Sequence, residues 1–364
     1  MQTQDSSTPL RAGIIGVGGI AEAHLKAYKA LPGIEVIAIA DPNAARRETV
    51  ASAYNIPFSY ENYEDLVNRT DIDVVSIATP NYLHSPAAIA AMSSGKHVLS
   101  EKPLAHSLEA AEAMVKAATD CNRVLHVAFN HRQRGDVQLL KKYVDEGGLG
   151  STYYAKAYWM RRSGIPGLGG WFTNKETAGG GPLIDLGVHV LDMALYLLGE
   201  PEIVSVTAST YSELGHRGIG GRGDEYKDSK LFNVEDLASA FIRLANGQTL
   251  LLEASWATYG RHWDDYGVEL FGTTGGAHID VRSYNWEDTL TIFSDTAGSP
   301  SQIRPKVTRG EGHLAVIRNF LDVVRSGSYA VHNGYEGLKR TRIIDACYRS
   351  AREGKEIHLG LPTP

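Results

Sequence analysis

From residue 11 to about 130, short apolar runs alternate with longer stretches whose apolar positions recur every three or four residues. The runs at 13–17, 35–40, 74–78, 97–100 and 124–129 read as strands, and stretches such as 21–31 and 107–119 read as helices between them. The strands are apolar almost throughout, as expected when helices cover both faces of a sheet. Repeated strand–helix alternation predicts a parallel, right-handed α/β sheet of the doubly wound type.

After residue 130 the pattern changes. A helix at 136–146 precedes a long strand at 152–160. A glycine-rich loop follows from Gly164 to Gly170, and then a helix at about 182–198. Two-residue alternation then dominates. The strands 241–245 and 249–256 flank Asn246-Gly247, a strong hairpin signal, and 268–271, 278–281 and 290–293 read as further antiparallel strands. Helices at about 313–325, stopping at Gly327, and 335–352 finish the chain. The expected division is a nucleotide-binding domain at 9–130 and an α+β domain at 131–364, built on a large, mostly antiparallel sheet. Leu250, Leu252, Ala254 and Trp256 alternate with Leu251, Glu253, Ser255 and Ala257, so both faces of that sheet carry apolar residues. Either a second subunit or the chain's own loops would cover the outer face. The Gly- and charge-rich stretch 213–230 reads as a long loop.

Composition narrows the class. At 364 residues two domains are expected, and 43% hydrophobic with 21% charged residues is ordinary for a globular chain. A net charge of −6 gives no footprint for nucleic acid, and no apolar run approaches a membrane span. The first nine residues lack the basic and apolar regions of a signal peptide. Cys121 and Cys347 lack metal-ligand spacing and are expected to be free. A cytoplasmic protein acting on a small molecule is the resulting expectation.

Gly16-x-Gly18-x-x-Ala21 follows the first strand and opens a helix, the context that a dinucleotide fingerprint requires. Gly16 permits the tight turn, Gly18 lets the backbone approach a pyrophosphate, and Ala21 keeps helix and sheet close. Gly19 and Ile20 lie at the helix N-terminus, whose free amides favour phosphate. Asp41, twenty residues past Ala21, ends the second strand, where a carboxylate accepts from the adenosine ribose hydroxyls. It would repel a 2′-phosphate, so NAD is expected; Arg46 and Arg47 leave NADP open unless they lie on the solvated face of the next helix. Thr79 and Pro80, followed by Asn81 and His84, form the loop expected beside the nicotinamide half, with His84 alternatively just starting a helix.

Glu101-Lys102-Pro103 closes the strand 97–100, and its proline forces the strand to end. Lys102 therefore stands at the carboxyl edge of the sheet, where ligands collect. In the second half, Gly179-Gly180-Gly181-Pro182 precedes Asp185 and His189, four residues apart on one predicted helical face. A carboxylate in contact with an imidazole orients it and stabilises its charged form, as a general base requires. A surface ion pair, a buried histidine and a metal site are the competing readings, the last lacking a third ligand of recognisable spacing. The glycines suggest close approach to a ligand.

These motifs, in this order, resemble those of the Gfo/Idh/MocA oxidoreductases, the sugar and cyclitol dehydrogenases that include glucose–fructose oxidoreductase and inositol dehydrogenase. The resemblance spans about residues 11 to 358. It implies a Rossmann domain, an open-faced sheet domain that often makes homodimers or homotetramers, and a frequently cis Lys102–Pro103 bond. It implies NAD-dependent hydride transfer with a secondary alcohol of a sugar, sugar derivative or cyclitol. The catalytic set is Lys102, Asp185 and His189, with either His189 or Lys102 as the base. The cofactor set adds Glu101 and Asn130 to the residues above. Substrate candidates are His131, Arg161, Arg162 and Trp171 together with the catalytic residues; Tyr259, Tyr284 and Trp286 are weaker. Members often carry Met-Arg or Arg-Arg where this chain has Asn130-His131, which leaves the substrate open. Redox-assisted glycoside cleavage and sugar-sensing regulation are the alternatives within the fold. The first yields no net NADH, and the second could dispense with Lys102, Asp185 and His189.

Overall fold

A computed structural model describes residues 9–221 and 232–360. The chain forms two units, the first from residues up to Asn130 with Gly312–Thr341 and the second from His131–Glu311 with the C-terminal stretch from Arg342. Part of the 213–230 loop lies outside the described residues; its start makes a short turn at Gly215–Arg217.

The first unit is built on strands β1 (Leu10–Ile15), β2 (Ile34–Ala40), β3 (Phe58–Tyr60), β4 (Val74–Ile77), β5 (His97–Ser100) and β6 (Leu125–Val127). They form one parallel sheet in the order β3-β2-β1-β4-β5-β6, the doubly wound arrangement expected from the alternation. Helices α1 (Ala21–Ala30), α2 (Ala44–Tyr54), α3 (Tyr63–Val67), α4 (His84–Ser93) and α5 (Leu108–Asp120) connect them. The β1 residues Ala12 and Ile14 pack with Leu25 and Tyr28 of α1 in one core. Sequence reading missed β3, three mostly exposed residues without a run of apolar positions.

The second unit holds α6 (Gly135–Asp145), β7 (Thr152–Arg161), the single turn α7 (Lys175–Ala178), α8 (Val188–Leu197) and strands β8 (Ile203–Tyr211), β9 (Leu237–Leu244), β10 (Thr249–Ser255), β11 (Asp264–Gly272), β12 (Gly276–Arg282), β13 (Leu290–Thr296) and β14 (Ser299–Ile303). With the terminal β15 (Ile357–His358) they make a nine-stranded sheet in which β7 and β10 are parallel and the other pairs antiparallel. Gly247 turns the β9–β10 hairpin with φ +85. On β10, Leu250, Leu252 and Ala254 are buried, while Leu251 is half-buried and Glu253 exposed.

Helix α9 (His313–Ser326) departs from the expected division at 131–364, which places it in the second part. Its apolar stripe, Val316, Ile317, Phe320, Leu321 and Val324, belongs to the core of the first unit. Helix α10 (Tyr335–Glu353) follows it. Among the described residues no helix is long and apolar enough to cross a membrane.

Candidate active site

In the first unit the turn after β1 is set by Gly16 at φ +85, where a Cβ would lie 2.6 Å from the Ala78 carbonyl oxygen. Gly18 and Gly19 differ: nothing lies within 4 Å of where their Cβ atoms would be. Helix α1 begins there, capped by no side chain, and Ile20 is 40% exposed. A phosphate can therefore approach the backbone and the first-turn amides directly. Asp41 is buried at the end of β2; its two oxygens accept from the Val17 amide at 2.9 Å and the Asn43 amide at 2.8 Å. That fixes the carboxylate beside the turn. Arg46 is exposed, whereas Arg47 is half-buried and donates to the Asp41 main-chain oxygen, away from the solvated position expected of it. The Thr79 hydroxyl is buried with no protein partner. An open glycine turn, a fixed carboxylate and an unsatisfied hydroxyl fit a dinucleotide.

His84 starts α4 and is buried. Its Nδ1 lies 2.8 Å from the Pro103 carbonyl and its Nε2 3.0 Å from the Thr79 carbonyl. Carbonyls only accept, so the neutral ring donates to one of them and only the imidazolium donates to both. Burial lowers its pKa, opposed by these two hydrogen bonds and by Glu101, so the doubly bonded form gains as pH falls. Asn81 is also buried in this loop.

Glu101 is 6% exposed. Its Oε1 receives His24 Nε2 at 2.9 Å and His313 Nε2 at 3.2 Å, and its Oε2 accepts from the Lys102 amide at 3.2 Å. Burial resists the charge, but the hydrogen bonds from the two histidines outweigh it and hold the carboxyl well below the usual range. Lys102 follows on a half-buried turn, and the Lys102–Pro103 bond is cis. Asn130 opens a 3₁₀ turn after β6.

In the second unit the segment Leu183–Gly187 winds as a π turn that runs into α8. Such turns are frequent at functional sites, and this one carries Asp185. Asp185 accepts from the indole of buried Trp256 at 3.0 Å. His189, 8% exposed, lies with its ring centroid 4.5 Å from that of His131 and 5.6 Å from Trp159. His131 also meets Tyr266 edge-on at 5.2 Å. Arg132 forms a bidentate pair with Asp192 of α8.

Arg161 is committed inside the protein, donating to Asp264 at 2.9 Å, to Tyr284 at 2.9 Å and to the Gly164 carbonyl at 3.5 Å. Arg162 donates to the Thr258 carbonyl and lies over Tyr259. Trp171 is half-buried and stacked on Phe172. Trp286 lies under the guanidinium groups of Arg134 and Arg309.

The triple glycine has a cause that the sequence did not reveal. A Cβ on Gly180 would lie 1.9 Å from the Tyr348 hydroxyl, and one on Gly181 would lie 2.0 Å from the Glu235 carbonyl oxygen. Buried Glu235 accepts from the Gly181 amide at 2.9 Å, the Leu183 amide at 3.1 Å and the Tyr348 hydroxyl at 2.9 Å. It thus caps the segment that carries Asp185. Burial raises its pKa, against these bonds. Gly180 and Gly181 accommodate protein atoms, where sequence reading expected a ligand. Glu235, Tyr348, His24 and His313 were all missed, since none has a spacing that marks it.

A family model described as an oxidoreductase family with an NAD-binding Rossmann fold matches residues 10–129, which makes this protein an NAD-binding oxidoreductase. The model of the GFO/IDH/MocA C-terminal domain matches residues 137–278, and the chain belongs to the Gfo/Idh/MocA family. It is 32% identical to the D-glucoside 3-dehydrogenase of Escherichia coli (strain K12) over 361 residues, 99% of this chain and 100% of the relative. The levoglucosan dehydrogenase of Pseudarthrobacter phenanthrenivorans is 36% identical, covering 97% of this chain and 98% of its own. A solved levoglucosan dehydrogenase in complex with NADH and levoglucosan superposes with TM-score 0.83 at 29% identity, over 96% of this chain and 99% of that one. The fold class, the family and NAD as cofactor are as the sequence led us to expect.

Proposed function

We propose that this protein transfers hydride between a secondary alcohol of a sugar, sugar derivative or cyclitol and NAD, and that Lys102, Asp185 and His189 handle the accompanying proton. The observation that carries the reading is the constraint on Lys102. It is an amine on a turn held from both ends by buried side chains: Glu101 accepts from the Lys102 amide, and His84 holds the carbonyl of Pro103, the next residue. The naming of two full-length relatives as sugar dehydrogenases supports the substrate class.

NAD, when bound, supplies the hydride acceptor. The chain's own residues manage the oxygen. His189 takes the hydroxyl proton, with Asp185 one turn earlier to balance the imidazolium. Lys102 donates a hydrogen bond to the same oxygen as negative charge develops. The oxygen–hydrogen bond would give its proton to His189 as the carbinol carbon is oxidised to a ketone, the two-electron acceptor being what NAD would supply. In the reductive direction the same groups return the proton. Exchange of roles between Lys102 and His189 is the second assignment. His131, Arg162 and Trp171 are the polyol contacts in this reading; Arg161 serves as a wall, its guanidinium being spent on Asp264 and Tyr284.

The reading includes a cytoplasmic homo-oligomer. The face of the nine-stranded sheet that carries Tyr154, Lys156, Tyr158 and Leu251 is only half-buried in one chain, which supports its use by a second copy. Light scattering gives the mass.

The test is incubation with NAD and a panel of sugars and cyclitols, followed at the absorbance of reduced nicotinamide. A substrate is expected, and Lys102→Ala or His189→Ala should each lower kcat by roughly 10²–10⁴-fold. Near-normal turnover in either variant would remove that residue from the mechanism. Aglycone release without net NADH would favour glycoside cleavage. Tight NAD binding with no turnover in either direction would favour a sensor.

A further inference from the structure

Two buried histidines and a half-buried one surround the Lys102 turn, and neither the fingerprint nor the proton-handling set accounts for two of the three. His24 comes from α1, His84 from the start of α4 and His313 from the start of α9. All three belong to the first unit. His24 and His313 converge on one oxygen of Glu101, at 2.9 and 3.2 Å, and the other oxygen holds the Lys102 amide at 3.2 Å. His84 grips the following residue through the Pro103 carbonyl at 2.8 Å. The same ring reaches the Thr79 carbonyl of the β4–α4 loop at 3.0 Å. We propose that His24, His84 and His313 form a brace that positions Lys102, with Glu101 as the relay for two of them.

The physical argument is one of directed stiffness. A lysine side chain has four rotatable bonds and little geometric preference of its own, so its placement depends on its backbone. Two hydrogen bonds on the Glu101 carboxylate, which itself accepts from the Lys102 amide, and one on the Pro103 carbonyl fix the peptide before Lys102 and the peptide after Pro103. The first helix of the nucleotide fold contributes His24 and the nicotinamide-side loop shares His84. Displacement of either element is thereby passed to Lys102. Positioning errors of about an ångström cost up to roughly 10²-fold in rate. None of the three histidines need touch substrate or cofactor for this effect.

His24, Glu101 and His313 also present three ligand atoms within 4.8 Å of one another, the arrangement of a metal site. The hydrogen bonds favour the brace: both imidazole Nε2 atoms lie at ordinary donor distance from a carboxylate that these two donors keep ionised against the cost of burial.

The inference rests on the proposed role of Lys102, and a double-mutant cycle separates the two. His24→Asn, His84→Asn and His313→Gln are made singly in the parent enzyme and in Lys102→Ala. In the parent each should lower kcat roughly 10- to 100-fold, and in His24→Asn and His313→Gln the KM for NAD should change by less than about threefold. In Lys102→Ala the residual turnover should be unchanged by His24→Asn or His313→Gln, because the group they position is gone. His313 is the least buried of the three, its side chain 15% exposed, so its variant tests the brace even if His24→Asn does not fold. Equal losses in both backgrounds, or no loss in the parent, would overturn the brace while leaving Lys102 catalytic. An undiminished kcat in Lys102→Ala alone would instead remove the reading on which the brace rests. Stoichiometric Zn²⁺ binding that disappears in His24→Asn and His313→Gln would also overturn it, making the trio metal ligands.

Discussion

Two glycine-rich turns open the two helical segments that matter most, and they use glycine for opposite reasons. At Gly18 and Gly19 the space a side chain would occupy is empty, and the backbone is left open to an outside group. At Gly180 and Gly181 that space is filled by Tyr348 and the Glu235 backbone. The first turn is open to a ligand, the second is closed on itself. Glycine in sequence reports only that something comes close; whether that is a ligand or the protein has to be read from the neighbours.

The largest effect expected from this contrast is on folding. Glu235→Ala strips the partners from two amides and a buried hydroxyl, and should cost about 3–5 kcal/mol in denaturant unfolding. A loss below 1 kcal/mol would mean that the second turn holds itself without the cap. Gly181→Ala should cost about 1–3 kcal/mol by overpacking against the Glu235 backbone. Gly18→Ala sharpens the other side: stability should move by no more than about 0.5 kcal/mol, while the Kd for NAD, from fluorescence titration, should rise about tenfold or more. If instead Gly18→Ala unfolded the protein and spared NAD, the two turns would have the same purpose.

The smallest expected difference lies in pH. Glu101, with its pKa held down, contributes stability above the unfolded value of about 4.3 that is lost as pH falls through the folded value. Glu235, with its pKa raised, contributes stability below about 4.3 that is lost as pH rises through the folded value. Unfolding of Glu101→Gln and Glu235→Gln between pH 3 and 8 should therefore differ from the parent in opposite directions. The acid-side decline shrinks in the first, and the decline above pH 4 shrinks in the second.

The first unit was largely legible because its elements carry local signals. Apolar runs marked β1, β2, β4 and β5 to within about three residues, and Gly16, Asp41 and Lys102 sit at strand ends, where a linear pattern suffices. What escaped were partners brought in from far along the chain. Glu235 stands 54 residues from Gly181, and His313 stands 212 from Glu101, so no spacing rule connects them. The π turn at Leu183–Gly187 was hidden for a different reason: it needs one extra residue per turn, which helical periodicity does not resolve. Arg161 shows the limit of residue type, since its charge suggested a substrate contact and its bonds are internal.

The return of α9 to the first unit has a consequence for how the chain is made. Phe320 and Ile317 are fully buried in a core whose buried members outside α9 all lie before residue 130. During synthesis the nucleotide-binding half emerges early but lacks that helix until roughly 180 further residues have been added, given that α9 starts at His313. A gene fragment ending near residue 130 would leave an apolar groove uncovered, so isolating this half calls for grafting residues 312–341 back onto it.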